Sequence, residues 1–301
     1  MPADIPAPAR RLSGGRPSDG QLSDGRLSGR RFGGGRWERR YRRVVDEAFR
    51  RVPFYRDQWV AAGRALDRPE PTASADLAGQ LHRLCPFARP FDPSEEPSPW
   101  IGDARLLRDA LALAGAPRRV PVLEVRAAVL DRRTLGRFPW SLPRYGVLLA
   151  PDAKVVDAGR RRSLNAEALR LAARAGRAVL VGDRAAVEAV LPDLDGVEVV
   201  TVPRVTAGEA AGAAEAVLAH DPYLGYFAAN DPGCGGLHLL WRHFHARAAG
   251  RAPALTALRR TRPALVDVVP HGAEGLTPDL CPRHGTPVLV PGHTLIVDTT
   301  H

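Results

Sequence analysis

The chain has 301 residues, about 45% hydrophobic and 25% charged, with a net charge of +10; these values describe a globular protein with room for one large domain or two small ones. No apolar run approaches the roughly 20 residues of a membrane helix, and the first eleven residues hold no apolar core of leader length, so a membrane partner is not expected. Three cysteines, Cys85, Cys234 and Cys281, are too few and odd in number for a disulfide framework, which points to a reducing, cytoplasmic compartment.

The first segment, residues 1–36, contains RLSGGRPSDGQLSDGRLSGRRFGGGR, a degenerate Leu-Ser-Asp/Gly-Gly-Arg repeat. It has too few apolar residues to offset the entropy of ordering and reads as a disordered tail. The first 43 residues hold eleven arginines and four acidic residues, whereas the other 258 hold 32 basic and 29 acidic ones. The positive balance therefore belongs to the tail, and a nucleic-acid partner is expected only through it.

A helical segment follows over 37–115. Trp37, Tyr41, Val44, Val45, Ala48 and Phe49 recur at helical spacing. Val52-Pro53 should end that helix, because the residue before proline resists the α region. A second helix is expected over Phe54–Ala62 and a third from Ser74 to Leu84. Five prolines between Pro86 and Pro99 suggest an extended linker, and Asp103–Ala114, closed by Gly115, suggests a fourth helix. An α/β core is expected over 116–220. Its strands are Val120–Leu130, Tyr145–Ala150, Lys154–Asp157, Ala178–Val181 and Val197–Val202. Its helices are Ser163–Ala175, Asp183–Leu191 and a last one from Thr206 to Leu218, opened by a Thr206/Glu209 capping box. Alternating strands and helices imply a mainly parallel sheet with flanking helices. In 221–301 the helices give way to short runs, Tyr223–Ala229, Leu237–Trp241, Leu255–Arg259, Leu265–Val269 and Thr294–Asp298. Gly- and Pro-rich turns separate them, as in a smaller antiparallel β-rich part.

Several of these runs resemble the phenylacetate-CoA ligase type of adenylate-forming (AMP-binding) enzymes. Residues 44–63, VVDEAFRRVPFYRDQWVAAG, are similar to that family's opening helix, Pro-Phe-Tyr-Arg motif and second helix. Ser74-Ala-Asp-Leu77 followed by Cys85-Pro-Phe87 resembles its next element. Tyr223–Ala229 and Cys234–Trp241 resemble the strand pair after its adenine-binding region. The resemblance implies an ATP-dependent acid ligase with ATP/AMP as cofactor and an acyl or aryl small molecule as partner. On this stretch Tyr226, Asn230, His238, Trp241 and His243 are the candidate ligand contacts.

The departures from that family point elsewhere. A phosphate-wrapping loop needs glycines so that backbone N–H groups approach the phosphates, and no Ser/Thr/Gly-rich stretch lies between Pro86 and Tyr145. The Tyr-Gly-x-Thr-Glu motif has no match. The family's lid lysine is missing too: Lys154, the only lysine, is mid-chain, and the chain is expected to be too short for a full lid. The leading expectation is thus a degenerate, non-adenylating relative that binds an acyl or aryl ligand, or a partner protein, in specialised biosynthesis. The alternative is an active ligase whose phosphate contacts are rebuilt from arginines such as Arg160-Arg161-Arg162.

Zinc is a separate possibility. Cys234-x3-His238 and Cys281-x2-His284 together make a Cys2His2 set, with His271 or His293 as substitutes, although the 46 residues between the two cysteines match no finger spacing. The same pairs could instead form a thiolate–imidazolium nucleophile oriented by Asp231 or Asp279. His243 and His245 would share one strand face with Arg242 and Arg247 nearby, a face expected to be solvated.

Overall fold

A computed structural model describes residues 32–63, 69–90, 104–128, 145–154, 158–231 and 233–292. The segment 1–31 and the expected strand Thr294–Asp298 lie outside these residues, as does His293. Helix α1 (Gly34–Arg51) buries Tyr41, Val45, Ala48 and Phe49 on one face and leaves arginines on the other. Val52 is extended, with φ −108° and ψ 121°, and Pro53 opens α2 (Pro53–Ala61) at its first position. The boundary is therefore where the Val-Pro step requires it. α2 buries Tyr55, whose hydroxyl accepts from the Val266 N–H at 2.8 Å and donates to the Ala264 carbonyl at 3.2 Å.

The third helix expected from Ser74 is a single 3-10 turn, Ser74–Leu77. Gly79, at φ +71°, turns the chain where a helix would continue. Just before it, β1 (Thr72–Ala73) pairs in parallel with β11 (Val268–Val269). Helix α3 (Ala104–Leu113) buries Leu106, Leu107, Ala110 and Leu111.

The α/β core is β2 (Val122–Ala128), β3 (Tyr145–Lys154), α4 (Ala158–Ala175), β4 (Arg177–Gly182), α5 (Arg184–Val190), β5 (Glu198–Val205), α6 (Ala207–Ala211) and β6 (Leu218–Asp221). The expected cap Ser163 sits inside α4, which begins five residues earlier. The capping box at Thr206 and Glu209 is present, but α6 stops at Gly212. Leu218 then opens a strand, because Val217, Leu218 and Ala219 are fully buried and pair with the sheet. Burial and pairing here override the helix propensity of an alanine-rich run.

The remaining strands are β7 (Gly225–Asp231), β8 (Gly236–Leu239), β9 (Phe244–Ala249), β10 (Ala252–Ala257), β12 (Leu276–Leu280) and β13 (Pro287–Pro291). One sheet runs β1-β11-β10-β9. The other has nine strands in the order β12-β13-β8-β7-β6-β5-β4-β2-β3. Its pairs from β3 to β6 are parallel and those from β6 to β12 antiparallel. Strand alternation sends Leu123, Val125 and Leu180 into a layer with α4 and α5, and Val122, Val179 and Val181 into the larger core with α1 and α3. The fold is thus mixed α/β with helices on both faces of the parallel strands. No described helix is long and apolar enough to cross a membrane.

Candidate functional site

Two polar clusters lie in the nine-stranded sheet. The first is at its antiparallel end, where the hairpins β7–β8 and β12–β13 meet through pairing of β8 with β13, Val288 opposite His238. The β7–β8 turn is held by Asp231, whose Oδ1 accepts from the Gly233 N–H at 2.9 Å, and the turn into β13 by a bond from Gly285 N–H to the Cys281 carbonyl at 2.7 Å. Gly235 and Gly285 take φ +66° and +61°, a conformation other residues adopt only with strain. Arg283 bridges the two turns by donating to the Gly233 carbonyl.

These turns bring together Cys234, His238, Cys281 and His284, whose ligating atoms all lie within 4.8 Å of one another. Cys234 Sγ is 2.9 Å from His238 Nε2, and Cys281 Sγ is 3.4 Å from His284 Nδ1. The opposite ring nitrogens have partners of their own: His238 Nδ1 is 3.2 Å from Thr286 Oγ1, and His284 Nε2 is 3.8 Å from the Asp231 carboxylate. A metal-bound histidine is oriented in this way by a group behind its second nitrogen. Burial holds His238 down at about 4, with His284 adding to it. Burial also pushes the Cys234 thiol up, as do Asp231 and Cys281. The pocket therefore disfavours a thiolate until positive charge enters. Two thiols and two imidazoles are a donor set that would suit a structural zinc, with Cys234, His238, Cys281 and His284 as the residues that would hold it.

The second cluster lies toward the carboxyl ends of β2, β4 and β5, where open α/β sheets bind ligands. Glu124 and Arg126 sit two apart on β2, on one face, and Arg126 donates to Glu124 at 2.8 and 3.2 Å. Tyr226 donates to the other carboxylate oxygen at 2.7 Å, and Tyr145 also donates to Glu124. Arg204 from β5 lies 3.8 Å from Glu124 and grips Asp183 with two nitrogens, at 2.8 and 3.1 Å. Glu124, Arg126 and Arg204 are all buried. Burial alone would raise Glu124; Arg126, Arg204 and the tyrosine hydroxyls outweigh it and hold the carboxyl at about 2. His220, beside Tyr226, is held down at about 3 by burial and then by Arg204.

The five candidate ligand contacts do not form one pocket. Tyr226 belongs to the Glu124 cluster and His238 to the Cys/His cluster. Asn230 is buried and accepts from the Val217 N–H at 2.7 Å while donating to the Ala213 and Glu215 carbonyls. The Trp241 ring meets Phe32 and Arg242, and its carbonyl accepts from the Trp37 indole at 3.0 Å. His243 pairs with Asp109 at 2.8 Å. The face of His243 and His245 expected to be solvated is buried: His245 stacks on Tyr41 and meets Glu38 at 3.1 Å. His245 thus attaches α1 to β9, and His243 attaches α3 to the turn before it. Asp279, considered as an orienting group, accepts instead from the Leu280 N–H.

Sequence reasoning passed over Glu124, Arg126 and Arg204. The signal was present, since charges at 124 and 126 interrupt an apolar strand at the spacing that puts both on one face.

No family model matches the chain, and no curated protein does. Solved structures of 2-hydroxyisobutyryl-CoA ligase are similar. An open conformation in complex with 2-HIB-AMP and CoA is 14% identical, with 84% of this chain and 72% of that one covered and a TM-score of 0.53. A thioesterification-state complex with the same ligands is 16% identical, with 86% and 67% covered and a TM-score of 0.51. The chain shares the fold of these acyl-CoA ligases.

Proposed function

We propose that the chain is a non-adenylating protein of the phenylacetate-CoA ligase type, with a structural zinc at Cys234, His238, Cys281 and His284. It binds an acyl or aryl ligand, or a partner protein, in specialised biosynthesis rather than making an acyl-AMP. The observation that carries this reading is the closure of the sheet's carboxyl edge. Both buried arginines there are already neutralised, Arg126 by Glu124 and Arg204 by Asp183 and Glu124. Guanidiniums paired in this way offer less charge and fewer donors to a phosphate. The missing glycine-rich loop supports the same conclusion.

Zinc, when bound, supplies charge that stabilises two thiolates and cross-links two hairpins. A cysteine nucleophile is disfavoured, because Cys281 is buried and both thiols face the cluster. ATP–pyrophosphate exchange, run on the purified chain with a panel of acyl and aryl acids, tests the non-adenylating reading. No exchange above the acid-free blank is expected. Robust exchange with any acid overturns it in favour of an active ligase. Elemental analysis is expected to find one zinc per chain.

A further inference from the structure

A groove of about 730 Å³ opens away from both clusters, between α1, the turn at Pro86–Arg89 and the loop Leu258–Thr261. Its floor is apolar, made by Val44, Ala48, Val52, Leu258 and Ala264. Around it stand Arg40, Arg43, Arg50, Arg51, Arg89 and Arg260, with Glu47 the only acidic residue among the described residues that line it. Arg50 and Arg51 are balanced one turn back on the helix by Asp46 and Glu47. Arg260 donates to the Tyr223 carbonyl at 2.8 Å. Arg40, Arg43 and Arg89 have no acidic partner among the described residues. Arg40 is made a weaker base by burial and by the charges of Arg259 and Arg43, so cations crowd one another here.

The walls are fastened. The Phe87 N–H donates to the Arg51 carbonyl at 3.1 Å, and the Ala264 N–H to the Leu84 carbonyl at 2.8 Å. Phe87 lies at the rim, 64% exposed, with the Arg56 guanidinium 6.0 Å from its ring. The volume lies within the range of small-molecule sites, which join an apolar lining to a few convergent polar groups. Guanidiniums match phosphate oxygens with paired N–H donors.

We propose that this groove binds a small organic polyphosphate, with phosphates on Arg40, Arg43 and Arg89 and a flat apolar body on the floor beside Phe87. A concave site of this size fits such a molecule better than it fits a nucleic-acid backbone, which would track along a longer basic path. The site is separate from the closed sheet edge and stands whether or not the chain adenylates an acid.

Equilibrium dialysis of the full chain with ATP, tripolyphosphate and adenosine tests it. ATP should bind one site, more tightly than tripolyphosphate, and adenosine should bind weakly; affinity should fall as salt rises. Arg40→Glu with Arg43→Glu changes two exposed side chains and should lower ATP affinity at least about tenfold with the melting temperature kept. The same charge change on α4, Arg170→Glu with Arg174→Glu, should leave affinity within about twofold, since no residue of α4 lines the groove and exposed charges are screened by salt. Three results would overturn the proposal: no saturable ATP binding below about 1 mM, equal losses in the two double variants, or single-stranded RNA bound in the groove that ATP fails to displace. The pyrophosphate-exchange assay reports on the other site and is independent of all three.

Discussion

The two polar clusters of the nine-stranded sheet are built on opposite charge logic. At the parallel end Glu124 is surrounded by Arg126, Arg204 and two tyrosine hydroxyls, so each charge has its counter-charge within the protein. At the antiparallel end Cys234, His238, Cys281 and His284 place four electron-pair donors beside one another, and no cationic side chain among the described residues is hydrogen-bonded to any of them. The first cluster is complete without a ligand. The second is a set of donors in want of a cation. Burial of polar groups alone does not separate a structural lock from a binding site; the balance of sign does.

The largest effect should come from removing the cation. If ambient zinc stands about 1,000-fold above its Kd, the metal adds about 4 kcal/mol to stability. A chain of this size then loses on the order of 10 °C in melting temperature. Cys281→Ser, or chelation, should produce that drop along with loss of the zinc found by elemental analysis. A metal-free chain that melts at the same temperature as the metal-loaded one would remove the distinction between the clusters.

Next is the charge that completes the other cluster. Glu124→Gln leaves buried Arg126 without its anion and Arg204 with Asp183 alone, and should cost about 3–5 kcal/mol in urea unfolding. The pH dependence follows from the same group. Glu124 is held at about 2, below its ordinary 4.5, so the unfolded chain takes up this proton first as pH falls. The stability is complete above pH 4.5 and is lost on the way down to about 2, on the order of 3 kcal/mol in all. His220, lowered from 6.5 to about 3, acts in the same direction: the unfolded chain protonates it first, so its contribution is present above pH 6.5 and lost below. Glu124→Gln should flatten the lower part of the acid limb and leave the part starting near pH 6.5.

A smaller effect should separate donors from the groups behind them. Thr286→Val removes the oxygen 3.2 Å from His238 Nδ1 and keeps all four ligands. Zinc affinity, measured by competition with a chelator, should fall about 10- to 100-fold, while acid unfolding of the parallel end stays as it was. An unchanged affinity would mean that the hydroxyl does not orient the ring.

Much of the scaffold was legible because it depends on neighbours in sequence. Val52-Pro53 marks the α1–α2 boundary and Thr206 with Glu209 marks a helix start through contacts a few residues long. The two Cys/His pairs were legible for the same reason. Their meeting as one Cys2His2 set stood there as one option beside others, because it depends on β13 pairing with β8 across the 46 residues between Cys234 and Cys281. The groove escaped for a similar reason: nothing local to the α1 arginines shows that Pro86–Arg89 and Leu258–Thr261 close around them. Arg204 needed the parallel register of β4 and β5 to place it beside Asp183 and near Glu124.

Arg204 also supplies the finest test, because its two acidic partners differ in exposure. The Asp183 side chain is 61% exposed, whereas those of Glu124 and Arg204 are 0% and 5% exposed. Water competes for Asp183 and screens its pair with Arg204, although that pair has the better geometry, 2.8 and 3.1 Å against 3.8 Å to Glu124. Asp183→Asn keeps one acceptor oxygen and removes only this screened charge, so it should cost about 1 kcal/mol or less, well under the cost of Glu124→Gln. If the two substitutions cost the same, the guanidinium is held from the solvent side and the sheet edge is not sealed from within. A polyphosphate could then compete with Asp183 for Arg204, and pyrophosphate exchange would need repeating on Asp183→Asn. A small loss for Asp183 beside a large one for Glu124 places the lock in the interior, where no incoming phosphate can replace the carboxylate without unpacking β2.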